Sequence, residues 1–199
     1  MSSMNSALAD VDRAILLDVA RQSIQSGLAY QCPLEVEPAD YPESLRLQRA
    51  TFVTLTIEQR LRGCIGILEA RLPLVKDVAE HAFAAAFEDP RFPPLGQAEF
   101  SDLELHISVL SPSEPIHFRS EEDLLAQLRP NVDGLILRLG QRRATFLPSV
   151  WESLSEPFLF VTQLKQKAGL PLDFWSDELQ FERYITESFG DGDTDKAHL

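Results

Sequence analysis

Apolar residues near the start of the chain recur at spacings of three and four positions. This spacing places them on one face of a helix, and Gly27 is a natural end for that helix because glycine readily adopts the closing conformation. The stripe consists of Leu8, Val11, Ile15 and Val19, with Leu16 and Ile24 on its flank. The pattern predicts an amphipathic first helix.

A strict alternation of apolar and polar residues runs from Thr51 to Ile57, with threonines on the side opposite Val53 and Leu55. Such alternation is typical of a half-buried strand. Glu58-Gln59-Arg60 is short enough to connect this strand to a second one at Leu61–Leu68. The two segments predict an antiparallel hairpin.

The rest of the chain mixes helical and alternating patterns without a βαβ rhythm or a repeat. Helices are predicted between Pro73 and Pro90, from Ser120 to Leu128 and from Pro157 to Ala168, and strands at Leu103–Val109, Gly134–Leu139, Arg143–Leu147 and Leu179–Ile185. The fold class predicted from these elements is α+β, with a largely antiparallel sheet flanked by helices.

No stretch reads as a flexible linker between domains, so residues 1–189 are predicted to form a single domain. A soft boundary near Pro148 allows a smaller C-terminal lobe. Residues 190–199 form an acidic tail, with Asp191, Asp193 and Asp195, that we expect to be disordered.

The formal net charge of the 199-residue chain is -13. The densest basic spots are the pairs Arg60 with Arg62 and Arg142 with Arg143, and such pairs do not outweigh that negative field. Nucleic acid and an anionic membrane surface are therefore not expected as partners.

Two cysteines, Cys32 and Cys64, form no C-x-x-C pair and no metal-ligand spacing with the four histidines. No metal and no cofactor are expected on this basis. Unpaired thiols suit a reducing compartment. No stretch has the uninterrupted apolar length that crosses a bilayer, and charges at Asp10, Asp12 and Arg13 interrupt a signal-peptide pattern. The expected compartment is the cytoplasm.

The stretch Leu61–Gly66 contains the strongest candidates for functional residues. In a strand, Leu61 and Ile65 would face the core, and Arg62 and Cys64 would share the opposite face. A guanidinium close to a cysteine favours the reactive thiolate form. The two glycines of this strand, Gly63 and Gly66, would leave room for a ligand.

A plainer interpretation stands beside this one. A lone cysteine in a strand is often a small buried apolar side chain, and Arg62 could pair with one of the many acidic residues. Both interpretations remain open at the level of the sequence.

The run LRGCIG at Leu61–Gly66 resembles the signature of the AMMECR family. The run DPRFPPL at Asp89–Leu95 is similar to a second family motif, and further family-like runs follow in order: Leu105–Pro112, Asp133–Leu135, Thr145–Pro148 and Lys167–Leu170. The resemblance covers nearly the whole chain. It implies an α+β fold with an antiparallel sheet, and it does not imply an established activity. Bacterial members are called AmmeMemoRadiSam system protein A, which implies Memo-like and radical SAM proteins as pathway partners.

Asp89 and Arg91 bracket a proline in a stiff loop. They could complete a site around Arg62, or Asp89 could cap the loop while Arg91 pairs with an acid. His81, four residues after Asp77, is interpreted as half of an exposed pair. His106 would lie beside the face of Cys64 if the two strands are neighbours.

The leading hypothesis is a small-molecule enzyme, or an enzyme subunit, with Cys64 and Arg62 as catalytic residues. Gly63, Gly66, Asp89 and Arg91 are the expected substrate-binding residues, and the substrate would be an anionic or carbonyl-bearing metabolite. The alternative is a non-catalytic module that docks a pathway partner through the LRGCIG surface. The oligomeric state stays open.

Overall fold

The alternation at Thr51–Ile57 forms the first strand in the computed structural model, which describes residues 7–192. The α-helices are α1 (Asp10–Tyr30), α2 (Glu43–Arg46), α3 (Leu74–Phe87), α4 (Glu121–Gln127) and α5 (Pro157–Lys167). The strands are β1 (Thr51–Ile57), β2 (Arg60–Gly66), β3 (Leu103–Leu110), β4 (Glu114–Ile116), β5 (Gly134–Leu139), β6 (Arg142–Phe146), β7 (Gln180–Tyr184) and β8 (Thr186–Gly190). None of the helices within residues 7–192 combines the length and apolar character needed to span a membrane.

The described residues divide into two compact units, and the α+β fold class is confirmed. Residues 7–110 and 187–192 form the first unit, and residues 111–186 form the second. Where the sequence predicted one sheet, there are two four-stranded sheets, ordered β2-β1-β3-β8 and β4-β7-β5-β6. The lobe boundary expected near Pro148 falls inside the second unit, because the chain returns to the first unit at β8.

The first unit packs α1 and α3 against one face of its sheet. Val53 and Leu55 of β1 and Ile107 of β3 are fully buried on that face. The predicted hairpin is confirmed: β1 and β2 pair antiparallel, and Glu58 and Gln59 turn the chain with φ values of 51° and 62°. Two residues with positive φ match the right-handed twist of paired strands.

The second unit has its own core around Trp151. The Trp151 indole stacks on the Phe160 ring of α5 with centroids 3.8 Å apart, and Phe181 of β7 is also buried in this cluster. Trp151 donates a 2.7 Å hydrogen bond to the Asp133 carbonyl. Each unit therefore buries apolar surface of its own.

Helix α1 differs from its predicted stripe. Val11 is 67% exposed, whereas Leu16, Ala20 and Ile24 are fully buried. The helix continues past Gly27 to Tyr30, and Gln31 ends it with a φ of 60°. A β-carbon at Gly27 would overlap the Phe87 ring of α3. This glycine serves close packing between two helices and does not end the first one.

The acidic tail predicted from Gly190 begins within the fold. Asp191 forms a 2.6 Å ion pair with Arg21 and accepts a 2.7 Å hydrogen bond from the Leu105 amide. The expectation of disorder is therefore wrong for Asp191. The rest of that expectation, at residues 193–199, lies outside the described residues.

Strand β2 approaches α3 most closely at Gly63. This residue is opposite Leu55 in the sheet and is buried on the helix side. A β-carbon at Gly63 would overlap the backbone carbonyl oxygen of Ala85. Since backbone atoms of a helix cannot move aside as a flexible side chain can, the contact requires glycine.

We expect Gly63→Ala to lower the free energy of unfolding by about 2 kcal/mol or more, because the methyl group must push α3 away from the sheet. Urea unfolding followed by circular dichroism measures this change.

Gly96→Ala is the matched control, because Gly96 has a φ of -90° and a β-carbon there would lie 3.5 Å from its nearest neighbour, the Glu99 carboxylate. Equal stability of the two variants would show that the α3 contact does not constrain β2.

Candidate functional site

Strand β2 contains a bulge at Arg62. Cys64 is opposite Thr54 and Gly63 is opposite Leu55, but the next paired residue is Leu61, opposite Thr56. Arg62 is the extra residue and has no partner on β1. Because a bulge breaks the two-residue period, Leu61 lies on the threonine side and is 44% exposed. Its predicted place in the core is therefore wrong, whereas Ile65 packs against the core as expected.

The Arg62 guanidinium points to the segment that follows α3. Its Nε donates to Glu99 Oε1 at 2.7 Å, and its Nη2 donates to Glu99 Oε2 and to the Pro93 carbonyl, both at 3.0 Å. This pairing holds the pKa of Glu99 below its usual range, with the hydrogen bond from Arg62 as the largest cause and the one from the Gly96 amide as the next. The positive charge of Arg62 is thus matched by Glu99.

The loop residues Asp89 and Arg91 bind the peptide backbone of Cys64. The Cys64 amide donates to Asp89 Oδ2 at 2.9 Å, and Arg91 Nη2 donates to the Cys64 carbonyl at 3.3 Å. Arg91 also donates to both oxygens of Asp89, at 2.9 Å from Nε and 2.7 Å from Nη2. The structure therefore brings the DPRFPPL loop to the LRGCIG strand, as expected if Asp89 and Arg91 complete a site on that strand.

The side chain of Asp89 is 2% exposed, whereas that of Arg91 is 54% exposed. The hydrogen bond from Arg91 holds the pKa of Asp89 well below its ordinary value; burial acts in the opposite direction, and amide hydrogen bonds from Cys64 and Arg91 lower the pKa further. The pKa of Arg91 is raised in turn, chiefly by its hydrogen bond to Asp89. Asp89 is thus a buried acceptor at the edge of β2 that is ionised at neutral pH.

The sulfur of Cys64 lies on the sheet face opposite the helices. The Thr54 hydroxyl donates to Sγ at 3.2 Å, and Cys64 is half-buried, whereas Cys32 is exposed. Thr54 is also opposite His106, because β1 lies between β2 and β3. Ser108 lies two residues after His106 on β3, on the same face of the sheet, and its hydroxyl is hydrogen-bonded to the Ser188 hydroxyl at 2.8 Å. We call this surface the Cys64 face; it comprises Thr54, Cys64, His106, Ser108 and Ser188.

The room for a ligand that the glycines predicted is filled by the protein itself. The Ala85 carbonyl occupies the space beside Gly63, and the Thr51 carbonyl and Phe52 occupy the space beside Gly66. Both glycines are explained by close backbone packing.

Comparison with family models adds an independent observation. The AMMECR1 model matches residues 17–189, a range that includes β2, its loop partners and most of both units. The chain belongs to the AMMECR1 family. Its LRGCIG and DPRFPPL motifs are the two segments that the structure joins through the Cys64 backbone.

Relatives of this AMMECR1-family chain agree in length and fold. A Methanothermobacter thermautotrophicus protein is 39% identical over 178 residues, covering 87% of this chain and 91% of the relative. A Thermotoga maritima protein is 37% identical over 158 residues, covering 77% and 86%. The crystal structure of the uncharacterised protein PH0010 from Pyrococcus horikoshii has a TM-score of 0.78 at 33% identity, covering 88% and 89%. These likenesses establish the family and the fold.

Sequence reasoning missed a buried polar cluster on the helix side of the sheet. Asp77 of α3 is fully buried, and its Oδ2 accepts a 2.6 Å hydrogen bond from the Thr51 hydroxyl and lies 3.0 Å from His81 Nδ1. The side chain of His81 is only 12% exposed, so the exposed pair expected here is wrong. Thr51 could have indicated this cluster from the sequence, because it shares the inward face of β1 with Val53 and a buried hydroxyl needs a hydrogen-bond partner.

Two further observations on the described residues concern metal and ligand binding. No group of three His, Cys, Asp or Glu side chains within residues 7–192 has a geometry that could hold a metal ion. A cleft of about 500 Å³ lies in the second unit, lined in part by His117, Phe118, Arg119 and Asp177. The Cys64 face remains the place where a potential nucleophile and fixed backbone geometry coincide.

We expect Asp89→Asn to lower the free energy of unfolding at neutral pH by about 2 kcal/mol, because hydrogen bonds to a charged acceptor contribute roughly 1.5–3 kcal/mol. The folded-state pKa of Asp89 lies below its ordinary value of 3.8. Its contribution is therefore fully present above that value and is lost as the pH falls below it. The stability difference between wild type and variant should shrink below about pH 4.

Glu88→Gln is the control for this measurement, since Glu88 is an exposed neighbouring carboxylate. Chemical denaturation at several pH values from acidic to neutral provides the comparison. A difference between wild type and Asp89→Asn that stays constant over this range would contradict the role of the ionised carboxylate.

Proposed function

We propose that this protein is a small-molecule enzyme, or a subunit of one, that uses the Cys64 face with Cys64 as its reacting thiol. The observation that carries the proposal is the hydrogen bond from the Thr54 hydroxyl to Sγ on a half-buried cysteine. A donor directed at sulfur stabilises negative charge there, and the thiolate is the nucleophilic form of cysteine.

The backbone geometry supports the same role. Asp89 and Arg91 bind the amide and the carbonyl of Cys64 from one side, and β1 pairs with β2 from the other. A nucleophile held by its backbone loses little freedom when it reacts, which is the advantage of a preorganised site.

The substrate class that suits these groups is an anionic or carbonyl-bearing metabolite. A thiolate attacks a carbonyl carbon: the carbon–sulfur bond forms, the π electron pair moves to oxygen, and that oxygen takes up a proton. Arg91 is more than half exposed, and its hydrogen bond to the Cys64 carbonyl places a positive charge at the residue that carries the thiol. Arg62 is available only if it separates from Glu99.

Compartment and partners form part of the proposal. Both cysteines are free thiols, which suits the reducing cytoplasm. The bacterial family name supports an association with Memo-like and radical SAM proteins in one pathway. Neither nucleic acid nor a membrane surface suits a chain with a net charge of -13.

A non-catalytic docking module is the alternative, and the exposed Leu61 in the LRGCIG run favours it. The Cys64 face itself is polar at Thr54, His106 and Ser108, however, whereas docking surfaces usually present a contiguous apolar patch. The reactivity of the thiol separates these two functions.

We expect Thr54→Val to slow the alkylation of Cys64 by iodoacetamide about fivefold near neutral pH, because a neutral hydrogen bond contributes roughly 1 kcal/mol. The rate at each cysteine is measured in the native protein by peptide mass spectrometry across a range of pH. The exposed Cys32 provides an internal reference in the same sample.

Thr56→Val is the matched control, since Thr56 lies on the same strand face and donates to Glu104. If Cys64 stays unmodified at every pH until the protein unfolds, it is a packing residue and the docking module becomes the better account. If it reacts, extracts of a deletion strain should contain a metabolite that wild type consumes and Cys64→Ser does not.

A further inference from the structure

The Arg62 guanidinium has a hydrogen-bonding capacity that its surroundings do not fill. An arginine side chain carries five N–H donors, one on Nε and two on each terminal nitrogen. Nε and Nη2 donate to Glu99 and to the Pro93 carbonyl. Nη1 is buried and has no hydrogen-bond partner among the described residues. A charged group in a largely buried position is therefore only partly satisfied.

Leaving a buried donor without a partner costs about 1–3 kcal/mol, and folded proteins seldom keep such groups without a reason. The side chain of Arg62 is 11% exposed, so solvent reaches little of it. An unfilled guanidinium nitrogen at such a position indicates a site meant for an acceptor that arrives from outside the chain.

Glu99 has the features of a replaceable occupant. It binds Arg62 through both carboxylate oxygens, the arrangement by which a guanidinium recognises a free carboxylate. Its side chain is 38% exposed, and it belongs to the short 3₁₀ helix Gln97–Asp102. Its other side-chain hydrogen bond is accepted from the Gly96 amide, within the same segment. Few contacts beyond Arg62 hold this carboxylate in place.

We propose that Arg62 binds the carboxylate of a small monocarboxylate ligand and that Glu99 occupies this position in the ligand-free protein. This inference rests on the proposed function, because it assigns the substrate's anionic group to a residue near Cys64. A ligand carboxylate takes the place of the Glu99 carboxylate on Nε and Nη2 of the guanidinium.

The Phe92 ring is the apolar group that the carbon skeleton of the ligand would contact. The guanidinium carbons of Arg62 and Arg91 lie 5.8 Å and 5.6 Å from its centroid. The ring is half-buried, and the part of it that stays exposed offers an apolar contact for a short carbon skeleton attached to the carboxylate. Since a thiol attacks a carbonyl carbon, a 2-oxo acid combines the two groups that this site and Cys64 would use.

Pyruvate is the probe for the test, because it carries a carboxylate and a neighbouring carbonyl. Its binding to the full chain is measured by NMR titration, with the Nε–H resonance of Arg62 as the local readout. We expect Glu99→Gln to bind pyruvate about tenfold more tightly than wild type, because the internal competitor loses its charge. Glu88→Gln, which removes an equal charge from an exposed neighbour of the loop, should bind as wild type does.

Two further comparisons make the carboxylate assignment specific. Methyl pyruvate lacks the negative charge and should bind Glu99→Gln no better than wild type. Arg62→Lys keeps the charge but cannot form two parallel hydrogen bonds, so it should lose most of the gain when combined with Glu99→Gln. Equal pyruvate affinity in wild type, Glu99→Gln and Glu88→Gln, or no detectable binding to any of them, would overturn the inference.

Cys64 alkylation and pyruvate binding are separate measurements, so the thiol chemistry and the carboxylate site can fail independently. An unreactive Cys64 combined with tighter pyruvate binding by Glu99→Gln would refute the thiol chemistry and leave the carboxylate site standing. A reactive Cys64 without that tighter binding would refute the carboxylate site alone.

Discussion

The buried Asp89 carboxylate is the acceptor on which the arrangement around β2 depends. It accepts hydrogen bonds from the Cys64 amide, from the Arg91 amide and from the Arg91 guanidinium, and Arg91 in turn donates to the Cys64 carbonyl. A strand that leaves one edge unpaired has backbone groups to satisfy there. The loop satisfies these groups at Cys64, so the edge of the sheet and the loop hold each other in place.

Because of the bulge at Arg62, Arg62 and Arg91 contact different groups. Because Arg62 is out of register with β1, its guanidinium reaches Glu99 and Pro93 instead of joining Thr54 beside the thiol. Arg91, from the loop, contacts the Cys64 backbone. The electrostatic surroundings of Cys64 thus involve Arg91, a residue 27 positions away in the sequence.

The region around β2 combines a fixed backbone at Cys64 with a Glu99 side chain that has few contacts. The Gly63 contact with α3 and the Asp89 hydrogen bonds fix the backbone of Cys64, because each involves buried backbone atoms. Glu99 differs, since its exposed side chain in a short 3₁₀ helix is held mainly by Arg62. The proposed ligand binding rests on these two features: a Cys64 backbone that is fixed and a Glu99 side chain that is partly exposed.

The sequence by itself determined the α+β class, the β1–β2 hairpin, the outward position of Cys64 and the family, because these depend on alternation and on contiguous motifs. It also indicated Asp89 and Arg91 as companions of the LRGCIG strand. The bulge, the Arg62–Glu99 pair and the buried Asp77–His81 pair were decided only by tertiary structure. The division of the chain into two compact units, the second beginning at residue 111, was also decided by tertiary structure. Each of these depends on contact with a distant segment or on a shift of register; the Asp77–His81 pair, for example, is buried against Thr51 of β1. Periodicity along one segment carries no information on which distant group meets it.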